Sequence, residues 1–222
     1  MLGWPQGMCQ DIPGWNGQLL EGGVRLNLDL PSSTEVVRSL RCGDLITLSG
    51  VIHTGRDEMH IRALEYLDDG KPLPVDLQGG AVFHCGPIMV KDQDEWKLVA
   101  AGPTTSARMN SLEPRFIEAF KPAIIIGKGG MSLPTVKAMN ENGCVYLALT
   151  GGAAVLAARG IKNVIGVEWL DLGMPEALWI LEADHFGPLT VAIDAHGNSI
   201  YEDVRSSVKN NLPGIVKSLR IE

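Results

Sequence analysis

The stretch Gly102–Met109, "GPTTSARM", sets two threonines, a serine and an arginine directly behind a Gly-Pro turn. Thr104 and Thr105 bring hydroxyls and Arg108 a guanidinium. If a helix opens at Thr104 or Thr105, one face presents Thr104 and Arg108 together, because they are four apart. "AIIIGKGG" places Lys128 between glycines, with Gly129 behind it, in a strand–glycine loop–helix arrangement. Converging backbone N–H groups there would hold a carboxylate or phosphate, with the lysine as a point charge. The motif is not a Walker A loop, since G-x-x-x-x-G-K-[ST] is absent. "TGRDEMH" supplies a third cation, Arg56, again between a strand and a helix. Asp57 and His60 sit on that helix, where Asp57 could orient the imidazole or pin a guanidinium. Three cations at three strand-end loops suit a ligand with two carboxylates, which planar guanidinium forks grip in two-point fashion.

The elements around these loops predict an α/β chain. "VRLNLDLP" alternates as a strand does, and "SSTEVVRSL" opens like a capped helix. "GDLITLSGVIHTG" reads as a strand and "RDEMHIRALEYLDDG" as a helix ending before Gly70. "GAVFHCGPIMVK" and "EWKLVAAGP" read as two strands, "SLEPRFIEAFK" as a short helix and "PAIIIGKGG" as a buried strand. After a helix over "SLPTVKAMNENG" comes the strand "CVYLALTGG", then the small-residue helix "AAVLAARGI". "NVIGVEWLDLG", "ALWILEADHFG" and "PLTVAIDAHGN" add three strand-like segments, and a polar helix runs from Glu202. Residues 1–23, rich in Gly, Trp and Pro, read as a flexible or docking extension, with Trp4 and Trp15 as interface anchors. Residues 24–222 then form one domain.

A formal net charge of −7 over 222 residues speaks against nucleic-acid or anionic-membrane partners, so an anion site must be local. No basic–apolar leader and no membrane-length apolar run is present, which predicts a cytoplasmic protein. The cysteines at 9, 42, 85 and 144 lack C-x-x-C spacing, and the five histidines lack metal spacing. The chain alone is expected to bind no metal. His84 and Cys85 read as buried and His185 and His196 as solvent-facing; "LGMPEALW" could set Glu176 near the site, but a helix start is the plainer reading.

Taken together and in order, "SGVIHTGRDEMH", "GGAVFHCGP", "GPTTSARM", "GKGGM", "TGGAAVLAA", "LGMPEALW" and "IDAHGN" resemble the β subunit of iron–sulfur hydro-lyases. That family comprises the class I fumarases and the L(+)-tartrate dehydratases, and in some members the unit is a C-terminal domain. The resemblance spans roughly residues 25–204. It implies a swivelling β/β/α domain, a mixed sheet with flanking helices, related in architecture to the mobile domain of aconitase. It also implies an α-subunit partner, as a heterodimer or α2β2 assembly, whose cysteines hold a [4Fe–4S] cluster. By resemblance, Arg56, Thr104, Arg108 and Lys128 face substrate, with Thr105 and Gly129 beside them and Asp57 and His60 in support. Fumarate hydration to L-malate is the preferred activity and L(+)-tartrate dehydration the alternative. A non-catalytic anion-binding module is the reading from another class.

Such chemistry removes a proton next to a carboxylate and loads that group with a second negative charge. Preorganised Arg and Lys donors stabilise this charge more than the ground state, each worth about 3 kcal/mol in comparable sites. The resemblance points to Thr104 as the base, His60 is the chemically easier one, and a base on the partner stays open.

Overall fold

Ile124, Ile125 and Ile126 are all fully buried, although successive strand residues point to opposite faces. A strand apolar on both faces must have a layer on each side, and that requirement organises the fold. The computed structural model describes residues 18–20, 23–152 and 154–218. Four parallel strands form its centre: β3 (Leu45–Thr54), β4 (Ala81–Phe83), β7 (Ile124–Gly127) and β8 (Val145–Ala148). The two-strand hairpin of β5 (Ile88–Asp92) and β6 (Glu95–Ala100) stands apart from them. At one side β2 (Gly23–Asp29) runs parallel to β3, and β1 (Gln18–Leu20) pairs antiparallel to β2. At the other, β9 (Ile161–Glu168) and the 16-residue β10 (Leu178–Ile193) run antiparallel to one another. β10 bonds to β8 and also back to β3, so β3, β4, β7, β8 and β10 close into a ring.

Alternation along the ring strands divides the core in two. Ile46, Leu48, Phe83, Ile124, Ile126 and Leu147 pack into one cluster. Val82, Ile125 and Tyr146 face the other way, against Met59, Phe116 and Met139. Those last three lie on α2 (Asp57–Asp68), α3 (Glu113–Phe120) and α4 (Leu133–Asn142), which cover that face. The remaining helices are α1 (Thr34–Ser39), capped by the Ser33 hydroxyl accepting from the Val36 N–H, α5 (Ala154–Ala158) and α6 (Ile200–Ser218). A mixed sheet with flanking helices is therefore present. Among the described residues no helix is long and apolar enough to cross a membrane.

Three expected elements differ. "ALWILEADHFG" and "PLTVAIDAHGN" are one strand, not two, because Gly187 and Pro188 fall at register shifts of β10 that the ladder to β3 carries through. "GAVFHCGPIMVK" is not one strand: after β4 the chain leaves the main sheet, and only Ile88–Asp92 resumes as β5. Within the expected 1–23 extension, Gln18–Leu20 belongs to the sheet. Trp4 and Trp15 lie outside the described residues.

Candidate active site

The parallel strands β3, β4, β7 and β8 all release their chains at the same end, the position where open α/β sheets place ligands. Arg56 follows β3, Lys128 follows β7, and Gly151 follows β8. The Thr104–Arg108 segment is laid across these ends by backbone bonds. Thr104 N–H donates to the His84 carbonyl (2.6 Å), Ser106 N–H to the Lys128 carbonyl (3.0 Å), and Lys128 N–H to the Thr104 carbonyl (3.3 Å). Thr105 and Lys128 form a parallel bridge. The loops pass close to Gly129 and Gly151, and of the two Gly129 is required by its left-handed backbone rather than by lack of space. A Cβ on Gly129, which has φ +72°, would sit 3.7 Å from Thr105 Cγ2, and one on Gly151 would sit 3.6 Å from Lys128 Cδ.

Ion pairs complete the connections. Arg108 Nη2 meets Asp57 Oδ2 at 2.9 Å, and Arg56 Nη2 meets Glu176 Oε1 at 3.1 Å. Glu176 Oε2 also accepts the Glu58 N–H at 3.2 Å. Among the described residues Lys128 makes no ion pair. Arg56, Asp57, Thr104, Thr105, Arg108, Lys128 and Gly129 thus lie on loops in direct contact at one sheet end. Asp57 pins the guanidinium of Arg108 rather than the His60 ring.

Three expectations change here. Ser106–Met109 is a single 3-10 turn whose N-cap, Thr105, makes no side-chain cap bond. Three residues per turn replace the expected four-residue face shared by Thr104 and Arg108, and the backbone bonds to β7 set their placement instead. Glu176 lies in a turn ahead of β10, not at a helix start, and serves as the partner of Arg56. His60, the chemically easier base, lies in the core rather than on the loop surface. It is fully buried, and its Nδ1 lies 2.7 Å from the Arg56 carbonyl.

The fate of His60 leads to residues that spacing did not reveal. His60, His84 and Glu113 are all fully buried, with Glu113 Oε2 at 3.4 Å from His60 Nε2 and 3.1 Å from His84 Nε2. These are ion-pair separations without hydrogen-bond alignment, so the two Nε2 atoms and both Glu113 oxygens lack hydrogen-bond partners. The charge pairing is the firmer fact, because an unpaired carboxylate in a dry core is prohibitively costly. Burial pushes Glu113 up, but the two imidazoles outweigh it and hold the carboxyl down at about 2. Burial pushes His60 down, and Glu113 beside it outweighs that, leaving it raised. By type and spacing the three could hold a cation, their ligand atoms lying within 4.8 Å of one another.

Cysteines offer no comparable grouping among the described residues. Cys85 is buried and pushed up to about 12 by desolvation, and burial raises Cys144 as well. His84 and Cys85 are buried as expected, and His185 is exposed.

The model of the fumarase C-terminus matches residues 4–204. This chain belongs to the fumarase C-terminus family. The match starts ahead of residue 25, so family character reaches into the segment expected to be an extension. Within the family, the L(+)-tartrate dehydratase subunit beta of Escherichia coli strain K12 is 39% identical over 192 residues, 86% of this chain and 94% of that one. A protein of Methanocaldococcus jannaschii, provisionally named L(+)-tartrate dehydratase subunit beta, is 48% identical over 181 residues, 81% of this chain and 93% of its own. One of Geobacillus stearothermophilus, provisionally named fumarate hydratase class I, is 42% identical over 183 residues, 82% of this chain but 34% of that longer protein.

Proposed function

We propose that this fumarase C-terminus chain is the β subunit of a hydro-lyase for four-carbon dicarboxylates, supplying the cationic half of the active site. The observation that carries the reading is the direct joining of three cation-bearing loops. Arg56 follows β3, Lys128 follows β7, and Arg108 is tied to the first by Asp57 and to the second by the Thr105–Lys128 bridge. Two substrate carboxylates would meet guanidiniums already held in fixed orientation, which favours the proton-abstracted, doubly charged state. L(+)-tartrate is the favoured substrate, because the chain spans nearly the whole of relatives named for that activity. Fumarate and L-malate form the second reading, favoured by the Geobacillus relative.

The [4Fe–4S] cluster that the family resemblance implies belongs, in this reading, to an α-subunit partner; among the described residues Cys42, Cys85 and Cys144 are free and form no common group. Bound there, such a cluster would supply Lewis-acid chemistry for the hydroxide's departure. On this chain, Arg56, Arg108 and Lys128 bind and polarise the carboxylates. Thr104 is the proposed proton acceptor at its hydroxyl, and Thr105 and Gly129 shape the loop. The ring-sheet domain is read as a swivelling β/β/α unit that closes onto the partner. The test is to mix the chain anaerobically with a cluster-loaded α subunit and assay both tartrate enantiomers, fumarate and L-malate. Activity only in the mixture, highest with L(+)-tartrate, is expected. Activity of the isolated chain, or none with any of the four acids, would refute it.

A further inference from the structure

Behind the anion-facing loops, the His60–Glu113–His84 cluster touches no surface, yet it contacts both substrate-facing loops. His60 Nδ1 meets the Arg56 carbonyl. His84 holds the other loop at two points, its carbonyl accepting the Thr104 N–H and its Nδ1 lying 2.8 Å from Ser106 Oγ. Tyr146 donates its hydroxyl to Ser106 Oγ at 2.9 Å. Resting on the hydro-lyase reading above, we propose that Glu113, acting through His60 and His84, is a positioning residue that locks the Arg56 loop and the Thr104–Arg108 loop into one relative placement.

Proton directions follow from donor chemistry. A carbonyl only accepts, so His60 Nδ1 carries a proton and donates to Arg56. Ser106 Oγ accepts from the Tyr146 hydroxyl and still has a lone pair and its own proton with which to meet His84 Nδ1. His84 Nε2 faces Glu113 Oε2 at 3.1 Å, so the ring spans the carboxylate and Ser106. His60 Nε2 faces the same carboxylate oxygen, and it meets it favourably only as an imidazolium. Glu113 and His60 then compensate one another as anion and cation, and His84 carries the contact on to the Thr104–Arg108 loop. The ring of Phe116, 4.4 Å from that of His60, walls it from solvent.

Two further features fit a placement role. Glu113 is the first residue of α3, where the helix dipole favours a carboxylate. Gly127 has no room for a side chain, because a Cβ there would overlap Ser106 Oγ. Burying such an ion pair rarely stabilises a fold more than apolar side chains of the same volume would. What it provides instead is a defined geometry between elements far apart in sequence.

The experiment compares the full-length chain with Glu113→Gln by histidine-selective NMR, amide exchange and kinetics of the reconstituted complex. In the unsubstituted chain at neutral pH, His60 should give imidazolium ring signals. In E113Q, His60 should revert to neutral. The Thr104, Ser106 and His60 amides should exchange about tenfold faster, while those of β7 stay protected. kcat/KM should fall about tenfold, mainly through kcat, because preorganisation and not affinity is lost. A neutral His60 in the unsubstituted chain, unchanged exchange in E113Q, or a stoichiometric metal that E113Q loses would each overturn the proposal. Inactivity of the unsubstituted complex would sink the hydro-lyase reading, while the histidine and exchange signals would still decide the positioning. Should E113Q fail to fold, Ser106→Ala must loosen Thr104 and Ser106 alone and leave His60 cationic. Loosening at both loops, or at neither, would overturn the proposal.

Discussion

Arg108 Nη2 lies 2.9 Å from Asp57 Oδ2, joining the 3-10 turn after Thr105 to the first residue of α2. About half of the Arg108 side chain is exposed, so the pair contributes less than about 1 kcal/mol to stability. Its use is orientation. Asp57→Asn should leave the melting temperature within about 2 °C and raise KM for the dicarboxylate several-fold in the reconstituted complex. An unchanged KM would remove Asp57 from the account.

Gly86 lies against the Arg56 guanidinium, where an added Cβ would stand 2.7 Å from Nη1 and 3.0 Å from Pro175 Cβ. The arginine head is the part able to move. Gly86→Ala should displace it from Glu176, raise KM about tenfold, and cost about 1 kcal/mol or less in stability. Chemical denaturation and steady-state kinetics on the same variant separate the two effects.

The buried pair predicts a pH window for stability. Glu113 is held at about 2 in the fold, so its contribution is present above its ordinary value near 4.3 and lost as pH falls through the folded value. His60 is raised, so its contribution is full below about pH 6.5 and lost as pH rises through its folded value. The urea midpoint of the unsubstituted chain should therefore exceed that of E113Q most between about pH 4.5 and 6.5. The gap should narrow at about pH 3 and about pH 9. A pH-independent gap would mean that the pair is not ionised in the folded chain.

Much of this was legible in sequence because strand-end loops announce themselves. "TGRD", "GPTT" and "GKGG" carry their glycines and cations at the junctions of apolar runs, and parallel strands necessarily bring such junctions to one end. The partners were not legible. Glu176 comes 120 residues after Arg56 and reaches it only because β10 bonds back to β3. Glu113 looks like an ordinary acidic helix start, and only the packing of α3 against α2 and the end of β4 turns it inward to two histidines. Ser and Thr behind Gly-Pro carry the same signal as an α-helix N-cap, so the sequence does not distinguish the 3-10 turn at Ser106–Met109 from an α-helix. The bonds to Lys128 that stop it after one turn are long-range. The length of β10 was hidden by Gly187-Pro188, since local breaker chemistry yields to a ladder that tolerates bulges.

The account depends on cations from separate strands gripping one substrate. The measurement that tests this most directly is kcat/KM for L(+)-tartrate in complexes carrying Arg56→Gln, Thr104→Val, Arg108→Gln or Lys128→Gln singly, each checked for an unchanged melting profile. We expect every variant to fall by about a hundredfold or more, the loss typical of removing one preorganised donor or proton acceptor. Retention of full kcat/KM by any of the four, in a folded and assembled complex, would contradict it.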